Sequence, residues 1–542
     1  MAVEFDTPFD ARYPLYTRAH AGEAFPEVLT PLAWSLLGGG IEGGFRDSYC
    51  RHLGVFPEPD RPWLTVGRFA GRLHVNLSVI RTVAERMPGP DAVSEERVVF
   101  GEPVGSGPPG HVPDPDDGRW RRRGLPLSMR TTASAPRWVR AGAAHVRAEV
   151  ERTDEFLAQR PSSAVLVTRL DELCGDAYRE LFGVYATVRA LTSAPVTLAR
   201  RALVRAGLST AEAMERITSV PGWESARPSR ELAAIARTVE PGSPLAMALA
   251  GRMGWSALRV SPLAGAAALR GRLEAFIDEF GHRGVNEFDP TAPVWDQRPD
   301  QVVVLLRPMV LARPDPPPVE TGHGGGLVAD ALVGMARAAM HRVEVCRNAL
   351  VLHTHQIRRV FFELAQRWRD RIDVEDLRML ALGELRGIAN GARMPLEVIA
   401  RRREEIAWAR SVEPAVWSWR RLAFAPAPAP TGASLMTGVG GSVGRARGRV
   451  RVLGGPYEDV PGGSVLVARI TGTAWTPLFV TAAAVVTDVG GLLSHATIVA
   501  RDLGVPAVVD TRVATAELRN GDLVEVDGGA GTVRVLERVG PH

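Results

Sequence analysis

The chain has 542 residues, of which 45% are hydrophobic and 23% charged, which leaves room for three or four domain-sized units with real cores. A net charge of only +4 without a basic face argues against a nucleic-acid partner. No apolar run reaches the roughly 18–20 residues of a membrane span, and the first residues lack a basic-then-apolar signal pattern, so a cytoplasmic protein with no membrane partner is expected. Cys50, Cys174 and Cys346 are scattered, which excludes a disulfide framework, and all 65 basic residues are arginine, which removes the lysine that a Schiff base or a P-loop phosphate clamp requires.

In chain order, residues 1–422 look mainly helical. Residues 101–124, rich in Pro, Gly and Asp, read as a loop ending in Arg121, Arg122 and Arg123, a run expected to be a solvated charged face. Residues 281–289, GHRGVNEFD, follow an amphipathic helix and concentrate an imidazole, a fixed cation and carboxylates. Two readings stay open for them. His282 can take a hydroxyl proton beside Arg283 and Glu287, or the arginine and carboxylates only fix a helix end. Residues 322–326 read as a loop, and residues 331–371 place Val343, Val351, Ile357, Phe361, Leu364 and Trp368 at helical spacing, predicting a long core-building helix. His353 and His355 on it lie roughly 200° apart around the axis, and neither a HExxH nor a CxxC pattern occurs, so no metal site is expected.

Residues 423–430, AFAPAPAP, predict a semi-rigid extended spacer at about 3.1 Å per residue. Strands are predicted at 448–453, 464–470, 482–487, 506–509, 522–526 and 532–536. Within residues 487–510, TDVGGLLSHATIVARDLGVPAVVD, Gly490 and Gly491 permit a tight turn after a buried strand. Ser494 can cap the next helix, and Gly504 and Pro506 stop it. His495 therefore opens a helix, where the dipole and unpaired amides stabilise an anion.

These residues resemble the phosphohistidine motif of the phosphoenolpyruvate-utilising enzymes, with Asp502 standing where that family usually has Glu. The resemblance implies that His495 accepts phosphate, that Thr487 and Ser494 position it, and that Gly490, Gly491 and Arg501 bind the phosphoryl group. It continues through residues 438–444, 471–479 and 521–528, which implies an α/β swivelling phosphohistidine domain over 434–540 behind a linker at 423–433. Residues 21–35, 69–76 and 281–289 resemble the substrate-binding part of rifampicin phosphotransferase-like proteins. By that resemblance Glu23, Arg72, Arg283 and Glu287 are substrate-binding candidates.

The expectation is a multidomain α+β chain, a large mainly helical substrate-binding domain followed by the swivelling domain. It implies a phosphotransferase component that carries a phosphoryl group on His495 to a hydroxyl of a small molecule, a natural product by analogy. Because the substrate-domain resemblance starts within the first thirty residues, the donor is expected in trans, an ATP-grasp protein holding ATP and Mg²⁺. A carrier histidine is expected at an exposed turn. Two other outcomes are compatible with the same residues: dehydration through a phosphorylated hydroxyl, and a non-catalytic phosphocarrier or binding subunit.

Overall fold

The computed structural model describes residues 3–19, 21–87, 113–218, 223–312, 326–424 and 432–540. The expected long helix is present as Gly326–Trp368, which buries Val351 and, on one stripe, Ile357, Phe361, Leu364 and Trp368. It packs against the helices Asp117–Ala158 and Asp176–Arg205, and Pro31–Arg46 lies on the latter. Thr30 starts Pro31–Arg46 by accepting the Ala33 amide at 3.3 Å, ahead of a proline whose missing N–H costs nothing there. A Cβ on Gly44 would lie 2.8 Å from the Gly183 nitrogen, so glycine is what lets these two helices cross at backbone contact.

One sequence expectation is corrected here. Residues 101–112 and 322–325 lie outside the described residues, but the loop expected through Gly124 has already ended at Asp116, and Arg121, Arg122 and Arg123 ride exposed on the Asp117–Ala158 helix. The cause is tertiary. Arg86 Nε donates to Asp117 Oδ1 at 2.7 Å, its guanidinium sits 5.8 Å from the Trp120 ring centre, and Gly124 is buried with room only for a hydrogen against Val55. These contacts hold the first turns despite Pro126 just behind them.

The helical body also contains an antiparallel sheet. Strands β1 (Leu15–Thr17), β2 (Val66–Phe69), β3 (Arg72–Asn76) and β4 (Trp417–Trp419) pair in the order β2-β3-β1-β4. Ala70 and Gly71 both adopt positive φ, 46° and 71°, as a two-residue hairpin demands. Pairing of Tyr16 with Ser418 returns the end of the body to its beginning.

The C-terminal domain holds β5 (Leu435–Thr437), β6 (Val439–Ser442), β7 (Arg445–Leu453), β8 (Val465–Ala468), β9 (Ala484–Thr487), β10 (Ala507–Val509), β11 (Leu523–Asp527) and β12 (Thr532–Glu537). The six predicted strands are β7 to β12 with shifted ends. Two further strands, β5 and β6, flank Gly438, and β6 falls within the 438–444 segment that resembles the family. The order is β5-β12-β11-β7-β8-β9-β10-β6, with β7 to β10 joined by parallel pairs, so the segment kinked at Gly438 borders both edges. One face closes over Val450, Val467, Val486, Val508 and Val526. The opposite side, including Leu466, Val485, Val499, Ala507 and Phe479, joins Leu273, Phe276, Val303 and Leu306 of the helical body in one continuous core.

The domain is thus seated on the body, and polar contacts fix the seat. Trp295 Nε1 donates to Tyr457 Oη at 3.0 Å, Arg307 pairs with Asp459 at 2.9 Å, and Arg230 pairs with Asp502 at 2.9 Å. Ala423 still belongs to the body, since its carbonyl accepts the Ala415 amide at 2.7 Å. Gly432 belongs to the C-terminal domain, donating to Glu517 Oε2 at 3.0 Å, while residues 425–431 of the expected linker lie outside the described residues. No helix among the described residues is long and apolar enough to cross a membrane.

Candidate functional site

The site begins with the way β9 hands over to the helix His495–Asp502. Thr487 Oγ1 donates to the Val489 carbonyl at 3.0 Å, and the Gly491 carbonyl accepts the Ser494 amide at 3.0 Å and the Thr497 hydroxyl at 2.9 Å. Ser494 caps the helix by accepting the Thr497 amide at 3.4 Å. A Cβ on Gly490 would stand 3.3 Å from Ser494 Oγ, so a bare backbone lets the turn fold over its own cap. Thr487, Gly490, Gly491 and Ser494 therefore build the turn, and what the turn presents is His495.

The imidazole is not at an exposed turn. His495 is only 8% exposed, because the helical body covers it. Its Nε2 lies 2.9 Å from Thr476 Oγ1, and its backbone N–H donates to Glu23 Oε2 at 3.3 Å, across the domain boundary. Gly472 makes that approach possible, since a Cβ there would stand 3.2 Å from the Glu23 carbonyl. Burial, reinforced by the Arg347 and Arg283 cations, holds the ring well below its ordinary pKa, so it rests as neutral imidazole, the nucleophilic form.

His495 forms one wall of a pocket of about 100 Å³ between the two units. Glu23, Arg189, Glu344 and Arg347 supply its charge; Tyr185, Trp223, Phe288, Met340 and Leu493 supply apolar surface. Arg347 donates to Glu287 Oε1 at 3.1 Å and lies 5.5 Å from the Phe288 ring centre. Glu287 is shared with Arg283 at 3.3 Å, and Arg283 also donates to Asn348 at 2.6 Å. Arg189 has a buried Nη2 with no hydrogen-bond partner. Burial pushes the Glu23 carboxyl up to about 7, against the pull of the His495 amide and the Arg189 and Arg347 cations. Among the described residues, no group of three or more His, Cys, Asp or Glu is placed to hold a metal.

Of the residues singled out from the sequence, Glu23 joins His495 in the pocket, and Arg283 with Glu287 stands one layer behind, fixing Arg347. Three others are elsewhere. His282 is half-buried with its ring 6.2 Å from that of His355, and it is not part of the pocket wall. Arg72 donates to the Ala409 carbonyl at 2.6 Å and stands 3.6 Å from Glu413, tying the body sheet to a neighbouring helix. Arg501 donates through Nη1 to the Leu492 carbonyl at 2.8 Å and Thr218 Oγ1 at 3.1 Å, seating the helix, and it does not line the pocket, while its Nε and Nη2 are buried without a hydrogen-bond partner. Sequence reasoning missed Thr476, Arg189, Glu344 and Arg347. Thr476 stood inside the 471–479 segment, but the arginines sit on long helices whose motif-free patterning gives no signal for a pocket.

Residues 460–531 match the mobile domain of PEP-utilising enzymes, and residues 184–324 match the rifampicin phosphotransferase fourth domain. An uncharacterised protein of Mycobacterium tuberculosis is 29% identical over 98% of this chain and 63% of its own length. A rifampicin phosphotransferase from a Streptomyces species is 29% identical over 50% of this chain and 35% of its own length. The prodigiosin synthesizing transferase of Serratia marcescens is 28% identical over 49% of this chain and 33% of its own length. The chain thus spans less than two thirds of the length of these relatives.

Proposed function

We propose, for a chain whose residues 460–531 match the mobile domain of PEP-utilising enzymes, that His495 carries a phosphoryl group to a hydroxyl of a small-molecule acceptor held by the helical body. One observation carries this reading: the histidine of one domain forms a wall of a pocket whose cations, Arg189 and Arg347, belong to the other. Guanidinium groups that line the same pocket as the imidazole stabilise charge that spreads over the phosphoryl oxygens during transfer. The walls formed by Tyr185, Trp223, Phe288 and Met340 favour an apolar or aromatic acceptor. At about 100 Å³ the pocket holds the reacting end of such a molecule, not the whole of a large one. The donor is ATP held with Mg²⁺ by an ATP-grasp protein acting in trans, and a chain without lysine is consistent with nucleotide binding elsewhere.

The test is intact-protein mass after incubation with ATP, Mg²⁺ and candidate ATP-grasp proteins. An acid-labile phosphate gain in wild type, absent in His495→Ala, supports the carrier role. Addition of aromatic hydroxyl compounds then discharges it, with the acceptor gaining a phosphate. A product that has instead lost water makes the chain a dehydratase. Stable label that no small acceptor removes makes it a protein-docking phosphocarrier.

A further inference from the structure

Phosphoryl transfer to a hydroxyl needs somewhere for the hydroxyl proton to go, and His495 cannot accept it while its reacting nitrogen carries the phosphoryl group. His282, the imidazole suggested by the sequence, does not line the pocket. Two carboxylates do, Glu23 and Glu344, and geometry separates them. Glu344 Oε1 accepts the Ser225 amide at 2.8 Å, a contact within the body, whereas Glu23 Oε2 meets the backbone N–H of His495 itself at 3.3 Å. Glu23 is therefore the carboxylate fixed against the reacting residue.

Resting on the transfer reading above, we propose that Glu23 is the catalytic base that takes the acceptor's proton. The acceptor oxygen forms the new O–P bond as the N–P bond breaks. The bonding pair returns to the ring nitrogen, the ring leaves as neutral imidazole with its other nitrogen protonated, and the hydroxyl proton passes to the Glu23 carboxylate.

The surroundings suit that role. Glu23 faces Arg189 from the Asp176–Arg205 helix, Arg347 and Glu344 from the Gly326–Trp368 helix, and His495 from the mobile domain. Arg283 and Glu287 stand behind Arg347, and the packed 471–479 loop contributes only neutral side chains. With its carboxyl pushed up to about 7 by burial, Glu23 accepts and releases a proton near neutral pH, where a general base is most effective. The two cations keep the carboxylate form within reach even in this buried place.

The experiment loads the whole chain with phosphoramidate, a small-molecule donor to histidine, and follows first-order decay of phospho-His495 from pH 5 to 9, with water as the smallest hydroxyl acceptor. Wild type is expected to show an accelerating limb that rises through about pH 7 as Glu23 loses its proton. Glu23→Gln keeps the shape and the acceptor oxygen for the His495 amide, and is expected to lose that limb with a rate at least about tenfold lower above pH 7. Glu344→Gln, which removes a charge from the same pocket, is expected to change the rate but to keep the limb. Superimposable profiles for wild type and Glu23→Gln, or a limb that disappears with Glu344→Gln instead, overturn the assignment. A wild type that takes up no more label than His495→Ala defeats the transfer reading itself, a different result from either.

Discussion

Two segments of this molecule put a histidine next to an arginine-rich, acid-rich or glycine-rich stretch, and they end up opposite in kind. In residues 281–289 nearly every charged group is consumed by structure. Arg358, fully buried, donates to the carbonyls of Ala292, Glu287 and Asp289 at 2.8 Å each, and Arg283 and Glu287 complete a network around Arg347. In the turn before His495 the polar groups satisfy one another, and the helix start is left facing a cavity with two carboxylates and two cations. Charge density in a sequence therefore says little about chemistry. What counts is which polar groups remain unspent after the backbone has been satisfied.

That contrast is sharpest at His495 itself, whose replacement by alanine is expected to abolish phosphoryl labelling; residual label on the variant, located by peptide mapping, breaks the comparison. Arg347→Met should lower transfer by about 10²–10³-fold, the usual loss for one preorganised charge-stabilising donor. The same variant removes a cation that depresses the His495 pKa, so NMR titration of that ring should show its pKa rising. Arg358→Met tests the structural side. Uncovering buried carbonyls is expected to destabilise the chain by about 3–5 kcal/mol, read as a lower urea midpoint. Thr476→Val, which removes the hydroxyl 2.9 Å from Nε2, should slow transfer about tenfold, the worth of one hydrogen bond. The smallest effect is expected from His282→Ala, with transfer at the wild-type rate; a large drop in rate would restore the 281–289 loop to the site.

Much of the C-terminal domain was legible in the sequence because its signals are local. A glycine pair, a capping serine and a β-branched strand each constrain the few residues around them, so the strand–turn–helix at 484–502 followed from pattern alone. The 326–368 helix was legible for the same reason, through its spacing of apolar residues. Three-residue strands such as β1 and β4 were not. They are too short for alternation to register, and they exist because residues some 400 positions apart, Tyr16 and Ser418, pair across the body. The start of the 117–158 helix was hidden likewise, since Arg86 and Val55 supply what the local sequence lacks.

The sequence by itself determined which residue stands at the head of the helix, because turn and cap are short-range physics that few other folds of those residues would satisfy. Only the tertiary structure decided what that residue faces. Docking of the mobile domain buried the imidazole, brought Glu23 from the far end of the chain to its backbone, and drew Arg189 and Arg347 from two long helices into one pocket. Burial is a property of surfaces that meet, and so are the displaced pKa values of His495 and Glu23; neither is written in the neighbourhood of a single residue.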